Sequence, residues 1–73
     1  MLKKDDRVIL TNRGKKEFGK ILYCWRRKDV EFFNVKTERG IVLEGITFNS
    51  TFPCYINFDL SKKLNEQKIC PLN

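Results

Sequence analysis

The stretch ILYCWRRKDVEFFNV at residues 21–35 decides the fold of this chain. Two apolar, aromatic-rich runs are joined there by four charged residues, Arg26, Arg27, Lys28 and Asp29. β-Branched and aromatic side chains favour strands, so two such runs around a short polar turn predict a β-hairpin. Two roles are open for its aromatic side chains. They face the core and leave a solvated basic tip, or they form an exposed surface that stacks bases and binds phosphate.

The rest of the chain shows similar short runs between turn sequences. Asn12-Arg13-Gly14 and residues 37–40 indicate turns, because Gly and Asn supply the positive φ that tight turns need. Gly19, inside the second run, predicts a β-bulge or a close backbone approach. The predicted strands cover residues 7–11, 18–25, 30–36, 41–43 (resuming at 46–48 after Gly45), 52–58 and 68–72.

Five or six short strands predict an all-β fold, a small and partly open barrel with one short helical or 3₁₀ turn, at residues 59–67, before the last strand. The 73 residues are predicted to form a single domain, 1–73. Closing the sheet removes exposed edge strands, which so short a chain has little else to cover. An α+β fold or a swapped dimer is the alternative. The predicted core consists of Val8, Leu10, Leu22, Cys24, Phe32, Val42, Ile56 and Phe58.

Residues 5–22 contain Asp6-Arg7-Val8-Ile9-Leu10, then a basic turn, then Gly19-Lys20-Ile21. This pattern resembles KOW-type modules, which are SH3-like small barrels. KOW-type segments open with Gly-Asp-x-Val-x-Val and continue into Gly-x-Val. Here Asp5 stands where the first glycine is expected, and Leu10 and Ile21 replace valines. The resemblance implies a five- to six-stranded SH3-like barrel that contacts RNA, the ribosome or RNA polymerase.

The other end of the chain carries a second pattern, formed by Asn49, Phe52, Pro53, Ile56, Phe58, Leu64, Glu66, Ile69 and Leu72. This pattern resembles the end of the ferredoxin:thioredoxin reductase variable chain and, more loosely, the small SH3-like subunit of photosystem I. Those proteins are non-catalytic barrels that brace a redox partner, so the resemblance implies an accessory role.

Positive charge is concentrated in the first part of the chain. The net charge is +6, and residues 1–28 hold ten Lys or Arg against three acids, a net +7. Residues 29–73 hold five bases against six acids, a net −1. This asymmetry favours a polyanionic or acidic partner on one side of the molecule, and a merely solubilising surface is the alternative.

The candidate binding residues are the cations and aromatics around the second strand. Two basic loops are predicted at opposite ends of that strand, with Lys20 between them. Tyr23 and Trp25 have the opposite parity to Lys20, so a regular strand places a phosphate track, which includes Lys20, and a stacking platform of Tyr23 and Trp25 on opposite faces. A bulge at Gly19 would unite them on one face. For Trp25 the core is the favoured interpretation, and for Phe32 more strongly so. The candidates are Arg13, Lys15, Lys16, Lys20, Tyr23, Trp25, Arg26, Arg27 and Lys28.

Several functional classes are disfavoured by what the chain lacks. With no histidine, the usual base at neutral pH and the Cys–His and Ser–His nucleophile pairs are missing, so we predict no enzyme, no catalytic residue and no small-molecule substrate. Cys24, Cys54 and Cys70 contain no C-x-x-C pair and are expected to be small buried residues, with no metal site and no cofactor. No apolar run or export signal appears, so we expect a soluble, intracellular protein with no membrane partner, in the cytoplasm or an organelle stroma.

Two functions follow from these features. The first is a non-catalytic module that contacts nucleic acid, RNA more than DNA, in a transcription or translation context, through the basic surface. The alternative is a small protein-interaction subunit or inhibitor that docks an acidic protein partner, such as an accessory chain of a redox complex.

Overall fold

Two tight turns set the register of the first three strands. Arg13 and Gly14 have φ values of 52° and 85°, and Lys28 and Asp29 have φ values of 51° and 65°. Two consecutive positive φ values are the mark of the type I′ turn, whose twist matches that of the strands on either side. Both hairpins therefore have two-residue loops, which fix the strand pairing from the turn outward.

The computed structural model describes residues 2–66. The elements are β1 (Arg7–Asn12), β2 (Lys15–Arg27), β3 (Val30–Thr37), β4 (Val42–Ile46), β5 (Cys54–Ile56) and α1 (Phe58–Glu66). The five strands form one antiparallel sheet in the order β4-β3-β2-β1-β5. In this described part of the chain, no helix has the length and apolarity needed to cross a membrane.

The sheet curls into a half-barrel, which brings its two outer strands near each other. The Ile56 N–H donates to the Thr47 carbonyl oxygen at 2.9 Å, so β5 contacts the chain just after β4. The predicted all-β fold is confirmed, with one five-stranded sheet and one short helix over residues 2–66. The SH3-like assignment stays a prediction, and the strand predicted at residues 68–72 lies outside the described residues.

The core lies inside the half-barrel. Predicted core residues Val8, Leu10 and Ile56 are fully buried, and Cys24 is half-buried against them. Alternation along each strand explains this, because every second side chain points to the same face of the sheet. The buried apolar residues are Leu2, Val8, Leu10, Ile21, Phe33, Val35, Ile46 and Ile56.

Four of the predicted core residues are wrong. Phe32 is half-buried on the opposite side of the sheet, because the turn pairs Cys24 with Phe33, which takes the core position. Val42 lies opposite Lys36 and is exposed. The other two are Leu22, at a bulge, and Phe58, which begins the helix; both are exposed.

The bulge in β2 is at Leu22, and not at Gly19 as the sequence suggested. Tyr23 pairs with Asn34 and Ile21 pairs with Val35, so Leu22 has no residue opposite it on β3. An extra residue in one strand reverses the inward–outward alternation beyond it. Beyond Leu22, the odd-numbered side chains of β2 therefore point away from the core.

Gly19 serves the other role predicted for it, a close backbone approach. A Cβ placed on Gly19 would lie 2.7 Å from Val35 Cγ1 and 3.1 Å from the Lys36 carbonyl oxygen. Val35 is fully buried and β-branched, so it has little freedom to move away. Glycine therefore allows β2 and β3 to pack at this point of the curl.

The helix covers part of β1 with polar side chains. Ser61 Oγ accepts a hydrogen bond from the Ile9 N–H at 2.8 Å, and Asn65 pairs with both backbone groups of Arg7, at 3.2 and 2.7 Å. Residues four apart lie on one face of a helix, so α1 satisfies the part of the β1 edge that β5 does not reach. The strand predicted at 52–58 is consequently shorter, and the chain enters α1 at Phe58.

Candidate nucleic-acid interface

The predicted basic residues do not form one cluster. β2 has 13 residues, and at about 3.3 Å per residue its ends lie roughly 40 Å apart. Arg13 and Lys28 occupy the turns at these two ends. Lys15 and Arg26 are strand residues on the same side as the core, and Arg26 forms an ion pair with Glu31 at 3.3 Å.

The side of β1, β2 and β3 that faces away from the core, here called the outer face, carries the remaining candidates. Lys16 and Lys20 point outward because Glu17, Gly19 and Ile21 point toward the core side. Past the Leu22 bulge the outward residues change parity. Along β2 the outer face presents, in order, Lys16, Phe18, Lys20, Leu22, Tyr23, Trp25 and Arg27.

Three cations cross the outer face in one line. Arg7 of β1 lies opposite Lys20 of β2, and Lys20 lies opposite Lys36 of β3. Directly opposed residues on neighbouring strands have Cβ atoms about 5 Å apart, so we call Arg7, Lys20 and Lys36 the cation row. The row borders an open depression of about 520 Å³, to which exposed Phe18 and Leu22 also contribute.

Two members of the row, Arg7 at one end and Lys20 in the middle, each contact a neighbouring side chain. The Arg7 guanidinium carbon lies 5.6 Å from the centre of the Phe18 ring, within cation–π range. Lys20 Nζ lies 3.7 Å from Asp5 Oδ1, with both side chains more than half exposed. An ion pair this exposed contributes about 0–1 kcal/mol, so a phosphate oxygen can replace the carboxylate.

Three aromatic rings lie beside the cation row on the outer face. The Tyr23 and Trp25 ring centres are 5.7 Å apart with an interplanar angle of 27°, and those of Trp25 and Phe32 are 5.5 Å apart at 15°. We call these three residues the aromatic array. Tyr23 is 59% exposed, whereas Trp25 and Phe32 are half-buried, so the core interpretation of Trp25 and Phe32 is wrong.

The bulge brings the row and the array onto one face. Tyr23 lies opposite Asn34, two residues along β3 from Lys36, so it is about 7 Å from the cation row along the strand. Trp25, opposite Phe32, is about 13 Å from it by the same spacing. The sequence predicted a phosphate track and a stacking platform on separate faces unless a bulge at Gly19 united them; a bulge at Leu22 brings both onto the outer face.

Five of the nine predicted site residues lie on the outer face, and five further residues that form the cation row, its depression or the aromatic array were missed. Arg7 could have been predicted from the sequence, because a two-residue turn at Arg13-Gly14 pairs it with Lys20. Lys36 could not have been predicted, because a turn at Lys28-Asp29 without a bulge would place Thr37 opposite Lys20. The missed residues are Arg7, Phe18, Leu22, Phe32 and Lys36.

The other side chains whose chemistry bears on function lie away from the outer face. Arg39 donates hydrogen bonds of 2.8 and 3.1 Å to the Glu17 carboxylate, and these hold the pKa of the carboxyl below its usual range. The same hydrogen bonds join β2 to the turn after β3. Burial raises the pKa of the Cys54 thiol, with the Glu17 charge adding to the effect, so this thiol stays protonated at neutral pH. Within residues 2–66, no group of His, Cys, Asp and Glu side chains is arranged to hold a metal ion.

A second open groove, of about 550 Å³, lies beside the tip of the β2–β3 hairpin. Its apolar side chains include Val30, Phe48 and Phe52, and Phe52 is 57% exposed. The groove is partly lined by Arg26 and Asp29 at the tip.

Comparison with known proteins gave no match, either to a protein-family model, to a curated protein or to a solved structure. The chemistry of the outer face is therefore what bears on function.

Proposed function

We propose that this chain is a non-catalytic nucleic-acid-binding module, with RNA preferred over DNA, that acts in a transcription or translation context. The observation that carries the proposal is the presence of the cation row and the aromatic array on one exposed face. Proteins that bind single strands combine phosphate-tracking cations with rings on which bases stack. The KOW-type resemblance of residues 5–22 supports RNA as the ligand. As part of this proposal the protein acts inside the cell, in the cytoplasm or an organelle stroma.

The cation row supplies most of the affinity in this proposal. Each phosphate that a Lys or Arg neutralises releases condensed counterions, which makes binding weaken as salt rises. For single strands the slope of log K against log salt is about −0.7 per contact, so three contacts give about −2.1. A rise from about 50 to 200 mM salt then weakens binding roughly 20-fold through the row alone.

The test uses a labelled single-stranded RNA of about 20 nucleotides, longer than the roughly 4–16 nucleotides that one OB-fold barrel covers. Anisotropy titrations at several salt concentrations compare the wild type with Lys20→Gln/Lys36→Gln. The variant keeps one cation of the row, so we expect its slope to be shallower by about 1.4.

The matched control is Lys62→Gln/Lys63→Gln, which changes net charge equally on the exposed side of α1. We expect its slope to stay near that of the wild type. An equal loss of slope in both double variants would refute the proposal, because net charge and not the outer face would then govern binding.

The second candidate function is a small protein-interaction subunit or inhibitor that docks an acidic protein partner. The groove beside the hairpin tip favours it, since exposed Phe52 and Val30 offer apolar contact there, and Arg26 lines the groove together with Asp29 and Glu31. Aromatic anchors with nearby charge are common at protein interfaces.

Purification of the tagged protein from its native lysate, with and without RNase and DNase, separates the two candidates. Partners that are lost on nuclease treatment support nucleic-acid binding. One acidic protein that is retained in stoichiometric amount after nuclease treatment supports the second candidate, and substitution Phe52→Asp should then release it.

A further inference from the structure

We infer that the outer face selects a single strand, with an unpaired base stacked on Tyr23 and neighbouring phosphates on the cation row. This inference rests on the proposed function and names its ligand more narrowly. It assigns Tyr23 the role of the residue that distinguishes single-stranded from duplex nucleic acid.

Tyr23 is the open end of the aromatic array. Trp25 has an aromatic neighbour on two sides, Tyr23 at 5.7 Å and Phe32 at 5.5 Å. Tyr23 stacks on Trp25 alone among the described aromatic pairs, and it has the largest exposed fraction of the large apolar side chains in residues 2–66. Its ring is therefore the one in the array best placed to accept another ring.

The open end of the array is also the end nearest the cation row. Tyr23 lies about 7 Å from the row along the strand, against about 13 Å for Trp25. A base on Tyr23 thus brings the phosphates of its own and the next nucleotide toward Lys20 and Lys36. Phe52, the next most exposed aromatic side chain within residues 2–66, lies instead in a groove where Arg26 is accompanied by Asp29 and Glu31.

A duplex makes fewer contacts with this site than a single strand does. Its bases are stacked between neighbours and expose only their edges in the grooves, so Tyr23 finds no base face to contact. Only the cation row then binds, through phosphates, and that contact is independent of Tyr23. Removal of a stacking ring weakens single-strand binding by roughly 5- to 140-fold per base.

The experiment compares one labelled RNA as a single strand and annealed to its complement. The proteins are the wild type, Tyr23→Ala, Tyr23→Leu and Tyr23→Phe. Tyr23 is 59% exposed, so these substitutions leave the core intact. Leu keeps apolar area without a π face, and Phe keeps the π face without the hydroxyl. Trp25 is the single tryptophan, and its fluorescence reports directly on the array.

We expect the wild type to bind the single strand at least 5-fold more tightly than the duplex, consistent with one stacked base. Tyr23→Ala and Tyr23→Leu should lose this preference while their duplex binding stays unchanged, and Tyr23→Phe should keep it. The single strand, but not the duplex, should alter Trp25 emission. A single-stranded DNA of the same sequence should show the same dependence on Tyr23, because every base has a π face.

Failure of the inference differs from failure of the proposed function. Equal binding of single strand and duplex, with no effect of Tyr23→Ala on either, overturns the inference while a row-dependent salt slope still supports nucleic-acid binding. A loss of affinity for both ligands in Tyr23→Ala also overturns it, because Tyr23 would then not discriminate. Absence of binding to either ligand by the wild type overturns both.

Discussion

Neutralising Lys36, the cation at the β3 end of the row, should stabilise the protein and weaken RNA binding. Lys36 lies directly opposite Lys20, where like charges destabilise a sheet, and we take the size of the effect from the about 0.2–1 kcal/mol that favourable cross-strand pairs contribute. Lys36→Gln removes that repulsion, so we expect the free energy of unfolding to rise by about 0.6 kcal/mol, near the middle of the range. Lys36→Glu replaces the repulsion with attraction, so we expect the free energy of unfolding to rise by about 1.2 kcal/mol.

The assay is thermal unfolding followed by far-ultraviolet circular dichroism in low-salt buffer. For a domain of this size, 1 kcal/mol corresponds to about 4–8 °C, so the Tm should rise by roughly 2–5 °C for Lys36→Gln and 5–10 °C for Lys36→Glu. At about 1 M salt the Debye length falls to about 3 Å, and the differences should largely disappear.

Lys62→Gln and Lys62→Glu on exposed α1 are the controls, and changes away from packed sites are usually within about 0.5 kcal/mol. The Lys36 variants should rank in the opposite order in RNA affinity, with the wild type tightest. A Tm that does not rise at low salt, or a rise that persists at high salt, would show that charge repulsion between Lys20 and Lys36 does not destabilise the sheet.

Three further changes test the packing and the polar contacts. Gly19→Ala should lower stability by about 1–3 kcal/mol in urea unfolding, because the added Cβ overpacks β2 against β3; an unchanged midpoint would contradict the close approach. Ser61→Ala should cost about 1–3 kcal/mol in the same assay, since the Ile9 N–H loses its partner. The lowered pKa of Glu17 means that its contact with Arg39 stabilises the fold above the unfolded pKa of about 4.3 and is lost as pH falls through the folded value. Glu17→Gln should therefore have a flatter Tm profile below that pH, and an identical acid profile would exclude the contact.

Local sequence was enough to predict that β1, β2 and β3 are strands and where the turns between them lie, but not that both turns are two-residue type I′ turns. Strand alternation and turn residues are read from neighbouring positions, because side-chain parity and positive φ are local properties. Val8, Leu10 and Ile56 were predicted as core for this reason, and they are buried. The excess of positive charge in residues 1–28 is likewise a property of composition.

The end of the chain shows where local sequence was insufficient. Residues 52–58 alternate as cleanly as any strand, yet only Cys54–Ile56 pairs with β1. Beyond Ile56 the chain turns into α1, whose Ser61 and Asn65 bond the β1 edge from 52 and 58 residues away. Such long-range contacts override a local strand preference, because β propensity mainly measures how a side chain packs in its tertiary setting.

By itself the sequence determined a basic, strand-rich chain with two tight hairpins, and the tertiary structure decided which side chains share a face. The deciding feature is the unpaired Leu22, since one extra residue in β2 reverses the direction of every side chain beyond it. That reversal puts Tyr23 and Trp25 on the same face as Lys20. Where a bulge forms depends on how both strands fit the curl and the core, and neither strand's sequence contains that information alone.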